Sequence, residues 1–151
     1  MKSVNIKILL ADDDPDDCMF FEDAVKELSL ELTLDMVHDG ADLMDFLQKN
    51  SQDLPHLLFL DLNMPKKTGI ECLSEIKKDQ DLSKLPVVIY STSSNPDVME
   101  SLYKTGAQFY IRKPADFSNL KSVIRQAISN VTQKKTLVST LHQFEIKPLV
   151  H

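Results

Sequence analysis

Residues 57–69 read LLFLDLNMPKKTG, an unbroken apolar run of four residues that ends directly in the acid Asp61. A short, continuous apolar run is typical of a strand that is covered on both faces, as in a parallel sheet between two layers of helices. An acid that follows such a run lies at the carboxyl end of the strand, where open α/β sheets bind their ligands. The segment therefore predicts both a fold class and the position of a site.

Similar apolar runs occur on either side of this segment, at Ile6–Ala11, Leu32–Val37, Val87–Tyr90 and Phe109–Ile111. The stretches between them carry apolar residues at helical spacing, and Asp14-Pro15 and Asn95-Pro96 each place a capping side chain before a proline suited to the first helical turn. This alternation predicts a (βα)₅ sandwich with parallel strands. Five strands suit the flavodoxin-like order 2-1-3-4-5 better than the six-stranded alternative, although periodicity alone leaves both open.

The chain has 151 residues, 42% of them hydrophobic and 26% charged, which is the balance of one globular domain. We assign residues 4–132 to that domain and residues 133–151 to a partly ordered C-terminal extension. Within the extension, a segment such as Leu137–Phe144 could dock on the body or on a second copy. The net charge of −6 argues against a nucleic-acid or anionic membrane surface as the main partner.

Cysteine and histidine residues give no sign of a metal site or a catalytic triad. Cys18 and Cys72 match neither a metal-binding spacing nor a disulfide framework, so we expect free thiols, buried or half-buried, in a reducing compartment. The four histidines are scattered along the chain. The apolar run at Ile6–Ala11 is too short for a signal peptide, and no stretch approaches a membrane span. A cytoplasmic location is expected.

Polar residues with complementary chemistry follow the predicted strands. Asp12-Asp13-Asp14 follows the first strand, Asp61 the third, Ser91-Thr92-Ser93-Ser94 the fourth, and Lys113-Pro114 comes just after the fifth. Carboxylates gathered at one edge repel one another unless a cation binds there, and an oxygen-only ligand set favours Mg²⁺ or Mn²⁺ over zinc. Asp16 and Asp17 are instead explained by the dipole of the first helix.

A carboxylate such as Asp61 can attack phosphorus and form an acyl phosphate. Lys113 and the Ser91 hydroxyl would then bind the phosphoryl oxygens. The sequence predicts a phosphoryl-accepting site at this edge of the sheet.

Four motifs in order resemble the receiver domains of response regulators. LLADDDP (9–15) is similar to their acidic start, and DLNMPKKTG (61–69) matches their D-x-x-M-P-x-x-x-G signature. LPVVIYS (85–91) and GAQFYIRKP (106–114) resemble their fourth and fifth strands. The resemblance covers about residues 4–132 and favours the single-domain, chemotaxis-regulator-like or small phytochrome-regulator-like type.

The resemblance implies a phosphoacceptor and a cation site. Asp61 is the implied phosphoacceptor. Asp13 and Asp61 are implied ligands of Mg²⁺ or Mn²⁺, with Asp12 assisting through water and Asn63 contributing its backbone carbonyl.

The resemblance also implies how the phosphoryl group is bound and sensed. Ser91 and Lys113 would contact it, and Ser91 would move toward it. Tyr110 would be the aromatic switch, whose ring turns inward as Ser91 moves, and the Lys113–Pro114 peptide bond would be cis. Thr92 remains an alternative to Ser91, since four consecutive hydroxyl residues begin at Ser91.

The function implied is that of a two-component response regulator. Its phosphoryl donor would be a sensor histidine kinase or a phosphotransfer protein. It would catalyse its own phosphorylation and slow dephosphorylation without turning over a separate substrate. The face formed by helix 4, strand 5 and helix 5 would bind a downstream protein or a second copy of the chain, with no direct nucleic-acid or membrane contact.

Three alternatives are weaker. Acid-nucleophile phosphatases have a second acid two residues after the nucleophile, where this chain has Asn63. A flavin carrier of the same fold must attract phosphate after its first strand, where Asp12, Asp13 and Asp14 would repel it. A receiver that acts as a fixed binding module without phosphorylation remains open.

Overall fold

The computed structural model describes residues 5–93, 95–133 and 143–149. The strands are β1 (Ile6–Ala11), β2 (Leu32–Val37), β3 (Leu57–Leu60), β4 (Val87–Ser91), β5 (Phe109–Arg112) and β6 (Glu145–Ile146). The helices are α1 (Pro15–Lys26), α2 (Gly40–Lys49), α3 (Gly69–Lys78), α4 (Pro96–Thr105) and α5 (Phe117–Thr132). In the parts of the chain that are described, no helix is long and apolar enough to cross a membrane.

The strands form one parallel sheet in the order β2-β1-β3-β4-β5-β6. The predicted order 2-1-3-4-5 and the flavodoxin-like fold are confirmed for the first five strands. Strands β4 and β5 each extend one residue beyond the predicted run, to Ser91 and Arg112. This small extension brings Ser91 into the sheet, at the edge where Asp61 follows β3.

Helices cover both faces of the sheet and divide the core in two. The apolar sides of α1 and α5 pack on one face, and those of α2, α3 and α4 pack on the other. Strand β3 is buried along its whole length, as its continuous apolar run predicts. Because the central strands are fixed from both sides, their carboxyl ends form a rigid rim on which side chains can be placed accurately.

The first turns of α1 and α4 are capped as the two Asp/Asn-Pro pairs predict. Asp14 accepts hydrogen bonds from the backbone N–H groups of Asp16 and Asp17, at 2.9 and 3.1 Å. Asn95 caps α4 in the same way. These caps satisfy N–H groups that have no partner inside the helix, and they fix where each helix leaves the rim.

The sheet has one strand more than the five that were predicted, because part of the C-terminal extension pairs with β5. The Tyr110 N–H donates to the Phe144 carbonyl at 3.0 Å, and Glu145 lies opposite Tyr110 in parallel register. The Phe144 ring is fully buried against Tyr103 and Tyr110. A two-residue strand has no period to detect, so sequence patterning missed it. Residues 137–142 of the predicted docking segment lie outside the described residues, and the assignment of 133–151 as partly ordered remains a prediction.

Contacts with α5 hold the rest of this segment in place. The Gln126 side chain donates to the Lys147 carbonyl at 2.8 Å, and the Leu149 N–H donates to the Ser122 hydroxyl at 3.1 Å. The segment therefore crosses from the α4 side of the sheet, where Phe144 packs, to the α5 side.

We predict that Phe144→Ala weakens the docking of residues 143–149. Removing a fully buried aromatic side chain costs about 3–5 kcal/mol where the site cannot collapse. Hydrogen exchange of the Tyr110 amide, which donates to the Phe144 carbonyl, should accelerate strongly. Leu149→Ala is the matched control, because that side chain is 60% exposed. Equal protection of the Tyr110 amide in the two variants would contradict the prediction.

Candidate phosphoacceptor and cation site

The carboxyl ends of β1 and β3 bring three carboxylates together. Asp12 and Asp13 follow β1, Asp61 follows β3, and the Asp61 N–H donates to the Ala11 carbonyl at 2.9 Å across the two strands. One oxygen from each of the three carboxylates lies within 4.8 Å of the others. Asp12 and Asp61 are only 0% and 4% exposed, whereas Asp13 is open to solvent.

The loop after Asp61 passes so close to the acid that one position requires glycine. A Cβ on Gly69 would lie 2.2 Å from the Asp61 carbonyl oxygen and 2.8 Å from the Leu62 Cα. The Gly69 N–H also donates to the Leu62 carbonyl at 2.9 Å. Gly69 thus lets the start of α3 pack directly beneath the acid.

The donor set fits a hard divalent cation. Asp12 Oδ1 accepts a hydrogen bond from the Asp14 N–H at 3.0 Å, while the buried Asp12 Oδ2 accepts none. A buried carboxylate oxygen without a hydrogen bond is costly, and a cation held together with Asp13 and Asp61 would remove that cost. The ligand atoms available are all oxygens, as Mg²⁺ and Mn²⁺ prefer. The acidic cluster is therefore a divalent-cation site.

Burial changes the acid–base behaviour of Asp61. It raises the pKa of this carboxyl to about 6, against the opposing effect of the nearby Lys113 ammonium, and the neighbouring Asp12 raises it further. The backbone N–H groups of Asn63 and Leu62 bond to the carboxylate and partly offset the increase. Asn63 is thus adjacent to the acid, and a metal-ligating role for its carbonyl stays a prediction.

Lys113 is the cation that the chain itself supplies to this cluster. Its ammonium lies 2.8 Å from Asp12 Oδ2, 2.8 Å from Asp17 Oδ2 and 3.7 Å from Asp61 Oδ2, and its side chain is only 9% exposed. Burial alone would lower the pKa of Lys113, but the surrounding carboxylates outweigh burial and raise it. The group therefore stays protonated, as a phosphoryl ligand must.

Asp17 is the site residue that the sequence analysis missed. The helix dipole is enough to explain an acid in the first turn of α1, so nothing in the sequence indicated that Asp17 belongs to the site. In the structure its carboxylate accepts a hydrogen bond from Lys113, 96 residues away along the chain. Only the three-dimensional arrangement, which places the first turn of α1 next to Lys113 at the carboxyl end of β5, could have revealed the pair.

The predicted cis bond at Lys113–Pro114 is wrong for this structure, which has no cis peptide bond among the described residues. A trans bond is the lower-energy isomer before proline. Here the Lys113 N–H donates to the Ser91 carbonyl at 2.9 Å, and the ammonium reaches the carboxylates from that anchor. Lys113 thus lies at the rim with a trans Lys113–Pro114 peptide bond.

Ser91 and Tyr110 lie next to the acidic cluster on β4 and β5. Ser91 is fully buried at the end of β4, whereas Thr92 is exposed, which favours Ser91 of the two. The Ser91 hydroxyl accepts from the Ser93 N–H at 3.3 Å, and the fully buried Tyr110 donates its hydroxyl proton to the Ser93 carbonyl. The segment 91–93 therefore connects the site to the tyrosine.

The two cysteines are free, as predicted, and both are buried. Burial, with the nearby Asp12 carboxylate adding to it, raises the pKa of Cys18 to about 11. Its thiol donates to the Asp12 carbonyl, which is also 3.1 Å from His38 Nδ1. Both side chains thus support the backbone of the acidic loop rather than its chemistry.

Comparison with known proteins identifies the family. Residues 8–125 match the model of the response regulator receiver domain. The chain belongs to the response regulator receiver family. Receivers accept a phosphoryl group from a histidine kinase partner and are not enzymes that turn over a separate substrate. The cluster of Asp12, Asp13 and Asp61 is the acidic site of this receiver.

Curated relatives of this receiver are similar over most of their length. Response regulator Rcp1 of Synechocystis sp. is 34% identical over 122 residues, which cover 78% of this chain and 83% of that protein. The probable methanogenesis regulatory protein FilR2 of Methanothrix harundinacea is 31% identical, over 79% of each chain.

Solved structures agree with the fold of this receiver. The phosphorylated cyanobacterial phytochrome response regulator RcpA superposes with a TM-score of 0.79 at 33% identity, covering 90% of this chain and all of that one. The Mn²⁺-bound form of response regulator Rcp1 superposes with a TM-score of 0.73 at 32% identity, covering 89% of this chain and 99% of that one.

We predict that Asp61→Asn stabilises the metal-free receiver in a pH-dependent way. Since the pKa of Asp61 is raised on folding from 3.8 to about 6, the native chain loses stability as the pH rises between these values. The variant should be no more stable near pH 4 and more stable, by on the order of 1–3 kcal/mol, above pH 6. Urea unfolding at several pH values in chelator measures the difference.

The control for this prediction is Asp53→Asn. A hydrogen bond from Lys7 lowers the pKa of that exposed carboxyl, so its removal should give no stabilisation at any pH. A pH-independent difference between Asp61→Asn and the native receiver would contradict the assignment of burial as the cause.

Proposed function

We propose that Asp61 accepts the phosphoryl group of a phosphohistidine on a sensor histidine kinase or phosphotransfer protein. The observation that carries the proposal is the burial of Asp61 beside two further carboxylates and one protonated lysine. Burying these charged groups costs free energy, which binding of a cation and then of a phosphoryl group would offset. The domain would then report its phosphorylation state through its protein surface.

In the proposed step, an oxygen of Asp61 forms a bond to phosphorus as the P–N bond of the phosphohistidine breaks. The electron pair of that bond remains with the imidazole nitrogen, which takes up a proton. Asp12, Asp13, Asp61 and the Asn63 carbonyl would hold Mg²⁺ or Mn²⁺, which would neutralise charge on the phosphoryl oxygens. The ammonium of Lys113, 3.7 Å from Asp61, would bind a second oxygen.

Asp61 must be ionised to act as the nucleophile. Burial holds its pKa near 6 when only the protein groups surround it, so part of the population is protonated close to neutral pH. A divalent cation next to the carboxylate lowers the pKa again and increases the ionised fraction. This gives a physical reason for a metal requirement that is separate from transition-state stabilisation.

Ser91 and Tyr110 would transmit the change. A hydroxyl hydrogen bond from Ser91 to a third phosphoryl oxygen would draw Ser91 toward Asp61 and alter its contact with the Ser93 N–H. The Ser93 carbonyl accepts a hydrogen bond from the Tyr110 hydroxyl, so a shift of Ser93 would change the position of the Tyr110 ring. Two arrangements of this segment would form the two-state element that phosphorylation biases.

The output surface would be the face of α4, β5 and α5, used for a downstream protein or a second copy of the chain. Tyr103 is half-buried in this face and Tyr110 is fully buried beneath it, and Phe144 of the C-terminal extension packs on both. The surface presented to a partner would therefore include residues 143–149 as well as the receiver helices.

The first test is intact-mass spectrometry after incubation with acetyl phosphate. The native chain should gain one phosphoryl group in the presence of Mg²⁺ and none in chelator, because the carboxylates otherwise repel the donor. Asp61→Asn should gain none under either condition. Asp53→Asn, which removes an exposed carboxylate outside the site, should behave as the native chain does.

The result distinguishes phosphorylation from a fixed binding module. A native chain that binds Mn²⁺ but never gains a phosphoryl group would favour a module that works without phosphate. A phosphoryl group that persists in Asp61→Asn would place the acceptor elsewhere.

A second test compares the two hydroxyl residues at the end of β4. Ser91→Ala removes a buried donor and should slow phosphorylation by acetyl phosphate about tenfold or more, as loss of one preorganised donor does elsewhere. Thr92→Ala removes an exposed hydroxyl and should have little effect. Stopped-flow or quenched mass measurements give the rates, and the reverse order would assign the role to Thr92.

A further inference from the structure

Two groups compete for one oxygen of the acidic cluster. The Asp12 oxygen left open to a cation is Oδ2, which is buried and accepts no hydrogen bond, because Oδ1 already accepts from the Asp14 N–H. The Lys113 ammonium lies 2.8 Å from the same oxygen, held there by charge but without hydrogen-bond geometry. A divalent cation at Asp12 would repel the ammonium, so Lys113 has to leave this oxygen when the cation arrives.

The structure provides an alternative acceptor for the lysine. The Lys113 ammonium donates a hydrogen bond to Asp17 Oδ2 at 2.8 Å, and charge-assisted bonds of this kind are among the stronger ones. Asp17 is itself held in place, since its N–H donates to the capping Asp14 side chain in the first turn of α1. Its carboxylate is about one-third exposed, while the lysine side chain is 9% exposed.

We propose that Asp17 is a positioning residue, which keeps the Lys113 ammonium inside the site while Asp12 binds the cation. With Asp17 present, Lys113 loses only its contact with Asp12 when the cation binds, because its hydrogen bond to Asp17 remains. Without Asp17, the ammonium depends on Asp12 and Asp61 alone and competes directly with the cation for them. The proposal rests on the cation site above, and it extends the proposed function by explaining how Lys113 remains 3.7 Å from the phosphoacceptor.

Asp16 offers a matched control. It lies in the same first turn of α1, carries the same charge and is exposed, and no ion pair to it is found among the described residues. Asp16→Asn and Asp17→Asn thus remove the same charge from the same helix end, but only Asp17→Asn removes a partner of Lys113.

The test is Mn²⁺ binding to the full chain, with free Mn²⁺ measured by electron paramagnetic resonance. Asp17→Asn should raise the dissociation constant for Mn²⁺ by about fivefold to tenfold more than Asp16→Asn does, the size of a moderate coupling between sites. Asp17→Glu, which restores a carboxylate, should recover most of the loss. Thermal melts of each variant show that the comparison is made between folded chains.

A double-mutant cycle separates positioning from direct attraction between Asp17 and the cation. In a Lys113→Gln background there is no ammonium to compete, so Asp17→Asn should weaken Mn²⁺ binding no more than Asp16→Asn does. If Asp17→Asn weakens binding as strongly in that background as in the native one, Asp17 acts by its charge alone and the proposal is wrong. Equal effects of the two variants in the native background would also overturn it.

These outcomes are independent of phosphoryl transfer. A chain that binds Mn²⁺ with the expected pattern but takes no phosphoryl group would refute the proposed function and leave the role of Asp17 intact. A native chain that fails to bind Mn²⁺ would overturn the positioning role, because that role requires Asp12 to change partners.

Discussion

The electrostatic conflict between Asp12 and Asp61 is the constraint on which the rest of this receiver depends. Both acids are almost completely buried, and each follows a strand whose position the sheet fixes. Neither side chain is open to solvent, so their repulsion is relieved either by a proton on Asp61 or by cations brought to them. Lys113 supplies one cation from the chain, and the divalent ion supplies the other. The fold thus maintains a site whose charge is incomplete without a ligand.

This imbalance has a direct bearing on signalling. A phosphoryl group adds negative charge where negative charge is already in excess, so its arrival has to recruit every nearby donor. The donors are few and already have partners. Lys113 donates to Asp17, the Ser91 hydroxyl accepts from the Ser93 N–H, and the Ser93 carbonyl accepts from Tyr110. Redirecting them toward Asp61 necessarily changes contacts farther away, which is how a local charge could be sensed at the protein surface.

Much of this architecture could be predicted from the sequence, for identifiable reasons. Central parallel strands are buried on both faces, so they read as continuous apolar runs, and the Asp-Pro and Asn-Pro caps mark α1 and α4 directly. Two features could not be predicted because both depend on distant packing. Asp17 has a sufficient local explanation in the helix dipole, and its partner is 96 residues away. Strand β6 and its flanks are held by two buried side chains, Phe144 and Ile146, and by a few hydrogen bonds, none of which leaves a periodic pattern.

Strand β6 also determines what the sheet offers to other chains. The N–H and C=O groups along the outer side of β5 would otherwise form an open edge, and such edges pair readily with strands of neighbouring molecules. The pairing of Tyr110 and Ile111 with Glu145 and Ile146 occupies that edge. A form of the protein that lost this segment, by proteolysis or by truncation for expression, would keep its acidic site but expose β5 as an unpaired edge strand. Self-association of a shortened chain would then report the exposed edge rather than the signalling state.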